Sequence, residues 1–420
     1  MPTFQKTERS DEMLEVEEAQ RRTLAEVRSF PPEDVALEDA LKRILREDIV
    51  APQDVPSNDN TAMDGYAVRA VDVGRALTES PVVLSVIEDL AAGTVALKFV
   101  GEGMATRIMT GALMPEGADA VVPVELTDAG SSTVHVYSPV RSGENIRRRG
   151  EDMRAGQQIL HDGVALGAAE IGVLATARRQ RVVVGERPTV AIISTGDEII
   201  NIDQPMQAGK VVNSNSWSLA SMVREVGAIP RMFGIVEDSL EATMRAIASA
   251  RAFPFIISSG GVSVGAFDFV KDALDALGAE TIFRQIAMKP GKPVVLARLG
   301  ESLYFGLPGN PVSCMVAFIL FIAPSLRKAM GQRSNLLSPT VSIRMREDIR
   351  SRGDRRSYQR VRVRAGADGI LEGMPMKAQG SGVSTSMVGA NGLAVLEKGT
   401  TLVESGSVVS AVLFGPVLSE

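Results

Sequence analysis

The sequence predicts a multidomain protein of the α/β plus β class, in which a central α/β domain with a parallel sheet lies between two β modules. The chain has 420 residues, and at roughly 100 to 200 residues per domain it holds about two to four domains. Strand-like and helix-like segments alternate after Thr189, which is typical of a parallel sheet covered by helices on both faces. Short valine-rich runs separated by Gly, Pro and Asp indicate an all-β module over residues 57–150.

Helical segments are expected on both sides of this β module. Apolar residues recur at helical spacing over 12–28, and Pro31-Pro32 ends the pattern. A second supporting helix is expected over 38–47 and a third over 165–178. The strands expected within the β module are 82–86, 120–124 and 133–137.

The α/β domain is expected to contain three strand–helix pairs, then a hairpin and a long helix. The expected strands are 189–194, 231–236 and 255–259, and the expected helices are 216–226, 240–250 and 268–277. Segments 294–298 and 303–306 bracket a glycine turn and lead into an apolar helix over 312–330. Beyond Gly331, segments such as 341–345 and 359–363 indicate a small C-terminal β module.

Composition excludes several classes of function. The formal net charge is −6, the wrong sign for general nucleic-acid binding. Cys314, His135 and His161 are the only cysteine and histidines, so the chain builds no Cys/His zinc cluster and no intrachain disulfide, and a reducing compartment fits best. We find no secretory or transit pattern and no apolar run of the ~18 residues that cross a bilayer, and therefore expect a cytoplasmic protein without a membrane span.

Acidic residues follow the expected strands of the α/β sheet. Asp197 and Glu198 follow the first strand, Asp238 the second, and Asp268 ends the glycine-rich segment after the third. Ligands gather at the carboxyl ends of parallel strands, so we expect these side chains at one edge. Like charges at ~4 Å repel by roughly 1 to 4 kcal/mol, and magnesium shared with substrate phosphates suits such oxygen ligands better than zinc does. The alternative is that these residues are solvated loop acids or helix N-caps.

Glycine and proline turns occupy the same positions. One contains Gly260, Gly261, Ser263 and Gly265, and residues 307–311 form another. Such turns let backbone N–H groups approach an anion, which indicates a phosphorylated ligand. Taken alone, the turn after the third strand is equally typical of a simple chain reversal.

Two lysines, Lys289 and Lys292, flank a Pro-Gly turn over 288–293, and each can meet an oxyanion. Lys292 is followed by proline rather than Ser or Thr, so this is not a phosphate-binding loop of the nucleotidase type. The glycine fingerprint of dinucleotide-binding enzymes follows none of the strands either. For one such lysine, an ordinary surface turn is the default alternative.

Further segments are ambiguous from composition alone. They are the turn 60–67 with Asp64, the segment 107–112 with Thr110, and the charged run 147–152 with Asp152. Each is typical of a structural turn or a solvated charged face. Between Arg344 and Arg364 there are nine arginines and three acids. One or two of these arginines are expected to bind phosphate, and the others are explained as outward-facing residues that alternate along β-strands. Cys314 is expected to be a small buried hydrophobe rather than a nucleophile.

Together these segments resemble the molybdopterin molybdenumtransferase (MoeA) family, which also includes the matching domain of gephyrin. The resemblance covers nearly the whole chain, in order. The matching motifs are 61–67, 107–112 with 117–119, 146–152, 195–198, 213–215, 259–268, 288–293 and 307–313. The number and order of these matches make a chance resemblance untenable.

The resemblance implies four domains. They are an elongated helical region over 1–53 and 151–182, an inserted β domain over 54–150, an α/β molybdopterin-binding domain over 183–330, and a C-terminal β-barrel over 331–420. It also implies a homodimer, in which the β domain of one subunit completes the cleft of its partner.

The activity that the resemblance implies is insertion of molybdate into adenylylated molybdopterin with release of AMP, with Mg²⁺ as cofactor. Further implied partners are the molybdopterin adenylyltransferase and the molybdoenzymes that receive the product. The implied catalytic residues are Asp64, Thr110, Asp152, Asp238, Asp268, Lys289 and Lys292. The implied substrate-binding residues are Gly260, Gly261, Ser263, Gly265, Pro308, Asn310, Pro311, Arg356 and Ser381, and the implied metal ligands are Asp197, Glu198 and Asp268. The choice of Arg356 over Arg355 and Arg360 is open at this point.

Two other functions are open from the sequence alone. An adenylyltransferase would resemble only the α/β domain and would consume ATP without molybdate. A noncatalytic scaffold, as in gephyrin's receptor clustering, would bind peptides through the C-terminal region and release no AMP.

Overall fold

The computed structural model of the protein describes residues 13–261 and 269–419. The chain divides into two compact units. The first unit comprises Met1–Glu47, Asp162–Ala168 and Arg181–Glu420, and the second comprises Asp48–His161 and Ala169–Gln180. This two-way division is coarser than four domains, so the four domain boundaries stay a prediction.

A six-stranded sheet forms the centre of the first unit. In spatial order its strands are Ile229–Val236, Thr189–Thr195, Phe255–Ser259, Ser302–Leu307, Pro293–Leu299 and Glu280–Gln285. The first four strands are parallel to one another, and the last two join the sheet by antiparallel pairing. The expected mostly parallel sheet is confirmed, and its edge strand Glu280–Gln285 is an element that the sequence pattern did not indicate.

Helices cover both faces of this sheet. They are Ser214–Val226, Leu240–Ala250, Phe269–Ala276 and the long helix Pro311–Ala329. Val190 and Ile192 enter the core that contains helix Ser214–Val226, whereas Ala191 and Ile193 enter the core that contains helix Leu240–Ala250. A strand that is buried on both faces has a continuous run of apolar residues, and for this reason the sequence indicated the strand Thr189–Thr195 clearly.

The long helix is a core element. Its α-helical parts, Pro311–Ala317 and Ala323–Ala329, flank a π-helical turn over Phe318–Ile322. Within the described residues it alone is long and apolar enough to cross a bilayer, but 83% of its most apolar 18 residues are buried inside the protein. Burial of this kind is typical of the central helix of an α/β domain.

A closed five-stranded barrel follows the α/β domain. Its strands are Thr340–Met345, Arg356–Ala365, Leu371–Pro375, Gly392–Leu396 and Val408–Leu413. Closure occurs because Arg356–Ala365 pairs with Leu371–Pro375 along one edge and with Gly392–Leu396 along the other. The short strand Met288–Lys289 adds to the start of Arg356–Ala365. The expected C-terminal barrel is confirmed.

Shorter elements complete the first unit. They are helix Val16–Glu26, the antiparallel pair Pro32–Ala36 and Arg181–Gly185, the parallel pair Ile199–Ile200 and Val211–Val212, the pair Ile349–Arg350 and Leu402–Val403, and the 3-10 turns Leu37–Asp39 and Ser384–Met387.

The helix expected over 38–47 is wrong. After Leu37–Asp39 the chain turns at Lys42, which has a φ of +63°, and then extends. Ile44 and Leu45 are buried through bridges to neighbouring extended segments, not through one face of a helix. An isolated ten-residue helix is too short to be stable without packing, and here extended pairing buries the same apolar side chains.

The second unit is built on a five-stranded sheet. In spatial order its strands are Ala120–Pro123, Gly65–Val68, Met104–Ile108, Val82–Leu90 and Thr133–Val136. The expected β module and its three strands are therefore confirmed. The remaining elements are the strand pairs Asn60–Thr61 with Ile146–Arg147 and Ile49–Val50 with Gln158–Leu160, the helices Ala70–Val73 and Ala168–Thr176, and the 3-10 turn Val124–Leu126.

Candidate functional site

Four parallel strands of the first unit end at the same edge of the sheet. Thr195 lies opposite Val236, and Ser259 lies opposite both Ser194 and Leu307. The segments that follow these strands therefore emerge side by side. We call this edge the rim, and it consists of residues 196–198, 237–238, 260–261 and 308–311. Loops at such an edge are where open α/β sheets hold their ligands.

Acidic side chains meet at one end of the rim. The amide of Asp238 donates to Oδ1 of Asp197 at 3.1 Å, and the amide of Asp197 lies 3.4 Å from Oδ2 of Asp238. Burial raises the pKa of Asp238, and the neighbouring charges of Asp197 and Glu198 raise it further, although the Asp197 amide acts in the opposite direction. Lys210 donates through Nζ to the Asp197 carbonyl at 2.5 Å. The acids are thus close enough to perturb one another.

The donor chemistry of this acidic group suits a hard divalent cation, because it offers only carboxylate and carbonyl oxygens. The described residues do not include three Asp, Glu, His or Cys side chains arranged around one point as metal ligands. Asp268, the third expected ligand, lies outside the described residues. The described residues therefore do not by themselves complete a metal site, and Asp197 and Glu198 stay predicted magnesium ligands.

The glycine turn, Gly260–Gly261, packs tightly against the neighbouring strand. Gly260 has a φ of +98°, and a Cβ added there would lie 2.4 Å from the Thr195 carbonyl oxygen. Its amide donates to the Leu307 carbonyl at 3.0 Å. Only glycine fits this position, because a side chain would push the turn away from the strand. Ser263 and Gly265, which were expected in the same turn, lie outside the described residues.

Two buried oxygens near the rim have no hydrogen-bond partner within the described part of the chain. They are Oγ1 of Thr195 and Oδ1 of Asn215, and both residues are less than a tenth exposed. An unpaired buried acceptor costs about 1 to 3 kcal/mol. Such a group in a native structure has a specific cause, such as strain, a functional role or a bound water or ion.

Asn215 links two of the rim segments. Its Nδ2 donates to Oγ of Ser259 and to the Gly309 carbonyl, each at 2.8 Å. Cys314 donates through Sγ to the Pro308 carbonyl at 2.7 Å, and burial raises the pKa of its thiol to about 12. Cys314 is therefore a buried, unreactive thiol, as expected. The sequence showed Asn215 only as part of a motif, without a role.

The lysine turn, residues 288–293, lies beside the start of the long helix. A Cβ on Gly291 would lie 3.7 Å from the Ser313 carbonyl oxygen. Arg355 donates to the Met288 carbonyl at 3.4 Å. Arg355, and more weakly Lys289, lowers the pKa of Asp354. Lys289 and Lys292 are both half-buried in this turn, whose Gly291 approaches Ser313, two residues after the proline turn, residues 308–311.

Ser381 lies against the proline turn, since its carbonyl accepts from the amide of Val312 at 3.1 Å. The loop that carries it is held by Arg360, which is 1% exposed. Arg360 donates to the carbonyls of Ala378 and Gly380 and to Oγ of Ser386 at 3.1 to 3.3 Å. Burial lowers the pKa of Arg360 to about 10.

Arg356 bonds to residues other than those of the Ser381 loop. It is paired with Glu17 and, at 2.9 Å, with Glu397. These side chains line a cavity of about 320 Å³ between the first helix, the π-helical turn and the barrel. Arg360, not Arg356, is thus the arginine in contact with the Ser381 loop.

In the second unit, Asp64 and Thr110 are neighbours. Oδ1 of Asp64 accepts from the amide and from the hydroxyl of Thr110, each at 2.7 Å. These bonds lower the pKa of Asp64, the amide contributing most. Gly65 permits the turn, since a Cβ there would lie 2.0 Å from the Val122 carbonyl oxygen. We call Asp64 and Thr110 the Asp64 corner, and both side chains are exposed.

The structure does not join Asp152 to this corner. In the described residues its amide donates to the Val55 carbonyl at 3.0 Å, and its exposed side chain makes no hydrogen bond or ion pair with Asp64 or Thr110 there.

Three family models match the chain in succession. The model described as the MoeA N-terminal region (domain I and II) matches residues 14–177, the probable molybdopterin binding domain matches 191–328, and the MoeA C-terminal region (domain IV) matches 342–414. Together they cover the second unit, the α/β sheet and the barrel.

Relatives match over most of their own length. A molybdopterin molybdenumtransferase of Nostoc sp. is 40% identical over 87% of this chain and 84% of its own. The Bacillus subtilis protein of the same name is 38% identical over 95% of this chain and 94% of its own. The crystal structure of a molybdopterin biosynthesis MoeA protein from Pyrococcus horikoshii is 29% identical, with a TM-score of 0.80 over 96% of this chain and 100% of that chain. The chain therefore belongs to the molybdopterin molybdenumtransferase (MoeA) family.

Proposed function

We propose that this protein inserts molybdenum from molybdate into adenylylated molybdopterin and releases AMP, forming the molybdenum cofactor. The observation that carries the proposal is the rim, where acidic, glycine and proline turns emerge from the ends of four parallel strands, together with the lysine turn, whose Gly291 approaches Ser313 in the long helix. This combination offers anion-binding amides and cations next to carboxylates. An adenylylated pterin and a molybdate dianion need these groups together.

The glycine turn and the lysine turn hold the negative charges of the two substrates. The amide of Gly260 is bonded to the Leu307 carbonyl and fixes the turn, and the backbone N–H group at Gly261 approaches the phosphates closely because no side chain intervenes. Lys289 and Lys292 attract molybdate and stabilise the charge that develops as the phosphoanhydride is cleaved. Pro308, Asn310, Pro311 and Ser381 form the wall next to the lysines. No covalent intermediate with the protein is required.

Magnesium is the cofactor in this proposal, held by Asp197, Glu198 and Asp268. Bound there, it would neutralise substrate phosphate oxygens and position the phosphoanhydride. Asp238 keeps the acidic group together through its bonds with Asp197. The support for this assignment is the oxygen-only donor set and the raised pKa of Asp238.

The Asp64 corner has a separate role. We propose that the chain works as a homodimer and that Asp64, Thr110 and Asp152 act on substrate held by the rim of the partner subunit. The Thr110 bonds keep Asp64 ionised, which fits a carboxylate that orients a proton or a metal-bound group rather than one that donates a proton. The four domain boundaries implied by the family belong to the same proposal.

We propose Arg360 in place of Arg356 as the arginine that serves the substrate site. Arg360 fixes the loop that carries Ser381, whereas Arg356 is occupied by two carboxylates beside a different cavity. A bidentate guanidinium already held by two acids is a poor partner for a phosphate.

The remaining proposals concern the cell. A buried free thiol and the absence of a second cysteine suit the reducing cytoplasm, where we place the protein. Its partners there would be the molybdopterin adenylyltransferase that supplies its substrate and the molybdoenzymes that receive its product.

The deciding experiment incubates the purified protein with adenylylated molybdopterin, Mg²⁺ and molybdate, and measures AMP. We expect AMP release that requires molybdate. ATP consumption without molybdate would indicate an adenylyltransferase instead, and binding of a protein partner without any AMP release would indicate a scaffold.

A further inference from the structure

A buried asparagine ties the glycine turn to the proline turn. Asn215 is 7% exposed, and both hydrogens of its Nδ2 are used, one on Ser259 and one on the Gly309 carbonyl. Ser259 is the last residue of its strand before the glycine turn, and Gly309 is the second residue of the proline turn. One side chain thus bonds directly to both segments of the rim.

The two turns are close enough for this link to set their separation. A Cβ on Gly309 would lie 3.9 Å from the Cα of Gly260, and the Gly260 amide donates to the Leu307 carbonyl at 3.0 Å. Cys314 holds the Pro308 carbonyl from the other side. The carbonyls of both Pro308 and Gly309 are therefore hydrogen-bonded to side chains inside the protein.

We propose that Asn215 is a positioning residue: it fixes the gap between the glycine turn and the proline turn and thereby sets the affinity of the rim for the adenylyl phosphate. This inference rests on the proposed function for the identity of the ligand. The link itself is a property of the described residues. An amide is needed because the Gly309 carbonyl accepts only, and a carboxylate at this position would face it with a second acceptor.

Asn213 offers a matched control two residues away. It is 6% exposed and caps the helix Ser214–Val226 by accepting, through Oδ1, from Oγ of Ser194 and the amide of Ser216. An aspartate provides the same two acceptors and is an equally good N-cap. Asn213→Asp and Asn215→Asp therefore add the same charge to the same buried segment and each loses a side-chain NH2 group, but only at Asn215 does that group make the hydrogen bonds that link the two turns.

The test measures AMP binding by calorimetry for the wild-type protein and both variants. We expect Asn215→Asp to weaken AMP binding by about tenfold and to raise KM more than it lowers kcat, whereas Asn213→Asp changes the Kd less than about twofold. Equal weakening in both variants would mean that charge, not the link, is responsible, and would overturn the inference.

Amide hydrogen exchange tests the link without any ligand. Asn215→Asp should speed exchange at the glycine and proline turns, and Asn213→Asp should leave both turns unchanged. Unchanged exchange in Asn215→Asp would overturn the inference while leaving the proposed function intact. A wild-type protein that binds no AMP would instead refute the proposed role of the rim, and with it the ligand assigned here.

A second pair of variants, at Cys314, tests the inference if Asn215→Asp does not fold. Cys314→Ser keeps a donor to the Pro308 carbonyl, and Cys314→Ala removes it. We expect the alanine variant to bind AMP about threefold more weakly than the serine variant. Equal AMP binding by the alanine and serine variants would show that AMP affinity does not depend on buried donors to the carbonyls of the proline turn, which contradicts the inference.

Discussion

The rim and the Asp64 corner are two candidate sites built in opposite ways. At the glycine and proline turns of the rim, the groups offered to a ligand are backbone groups, and buried side chains such as Thr195, Asn215 and Ser259 lie behind them. At the Asp64 corner, the groups are the exposed side chains themselves, and each is the other's partner. The rim should therefore be sensitive to changes behind it, and the Asp64 corner only to changes in its own two residues.

The largest expected effect is at the glycine turn. Gly260→Ala places a methyl group against the Thr195 carbonyl and a side chain on a φ of +98°. We expect the free energy of unfolding to fall by about 2 to 3 kcal/mol and molybdate-dependent AMP release to fall by at least about a hundredfold. Chemical denaturation and the AMP assay measure the two quantities.

Gly278→Ala is the matched control, since Gly278 has a φ of +73° but no atom within 4 Å of an added Cβ. It should cost about 1 kcal/mol through backbone strain alone and keep full activity. Equal activity in the two variants would show that the glycine turn is a plain chain reversal.

Next in size are two charged residues assigned to the substrate site. Lys289→Ala and Asp268→Asn should keep the fold and lose AMP release by about a hundredfold, because each removes a charge that positions or stabilises the reacting anions. Lys271→Ala removes a lysine from an exposed position of helix Phe269–Ala276 and should leave the rate unchanged. Wild-type turnover by the first two variants would refute their roles.

The two arginines of the barrel strand are expected to differ. Arg360→Lys loses the forked contacts that hold the Ser381 loop, and should raise KM for the adenylylated substrate about tenfold. Arg356→Lys keeps a cation between Glu17 and Glu397 and should change KM less than about twofold. Steady-state kinetics of both variants decides between them, and the reverse order would restore Arg356 to the site.

The smallest effect is expected at the Asp64 corner. Thr110→Val removes the hydroxyl bond but keeps the amide bond, so the pKa of Asp64 should rise only part of the way to its ordinary value. Because the pKa is lowered in the folded state, Asp64 favours folding above its ordinary pKa, and this contribution is lost as pH falls through the lowered pKa. Carboxyl NMR titration measures the shift; an unchanged pKa would mean that the hydroxyl bond has no role.

Sequence reasoning succeeded where one physical signal dominated. The apolar runs of the central strands and the helix Leu240–Ala250 were found because burial on two faces, or on one helical stripe, leaves a clear period. It failed over 38–47, where extended pairing replaced the expected helix. Short apolar patterns of this kind are compatible with both structures.

The site was only partly predictable for a related reason. The rim acids and the lysine turn are local motifs, but the roles of Asn215 and Arg360 depend on carbonyls that lie 94 and 18 to 20 residues away along the chain. Choosing between Arg356 and Arg360 required the tertiary partners of each side chain, and nine arginines in one short segment gave no preference. Tertiary contacts, not composition, carried that information.

The barrel strand Arg356–Ala365 has one further consequence. It begins against Met288–Lys289, carries Arg360 four residues later, and closes the barrel on both of its edges. Inserting or deleting a single residue in its first half would exchange inside for outside along the strand. Length variation in natural or engineered homologues should therefore be confined to the loops that flank this strand. The strand itself should keep a constant number of residues between the position that pairs with Lys289 and Arg360, which holds the Ser381 loop.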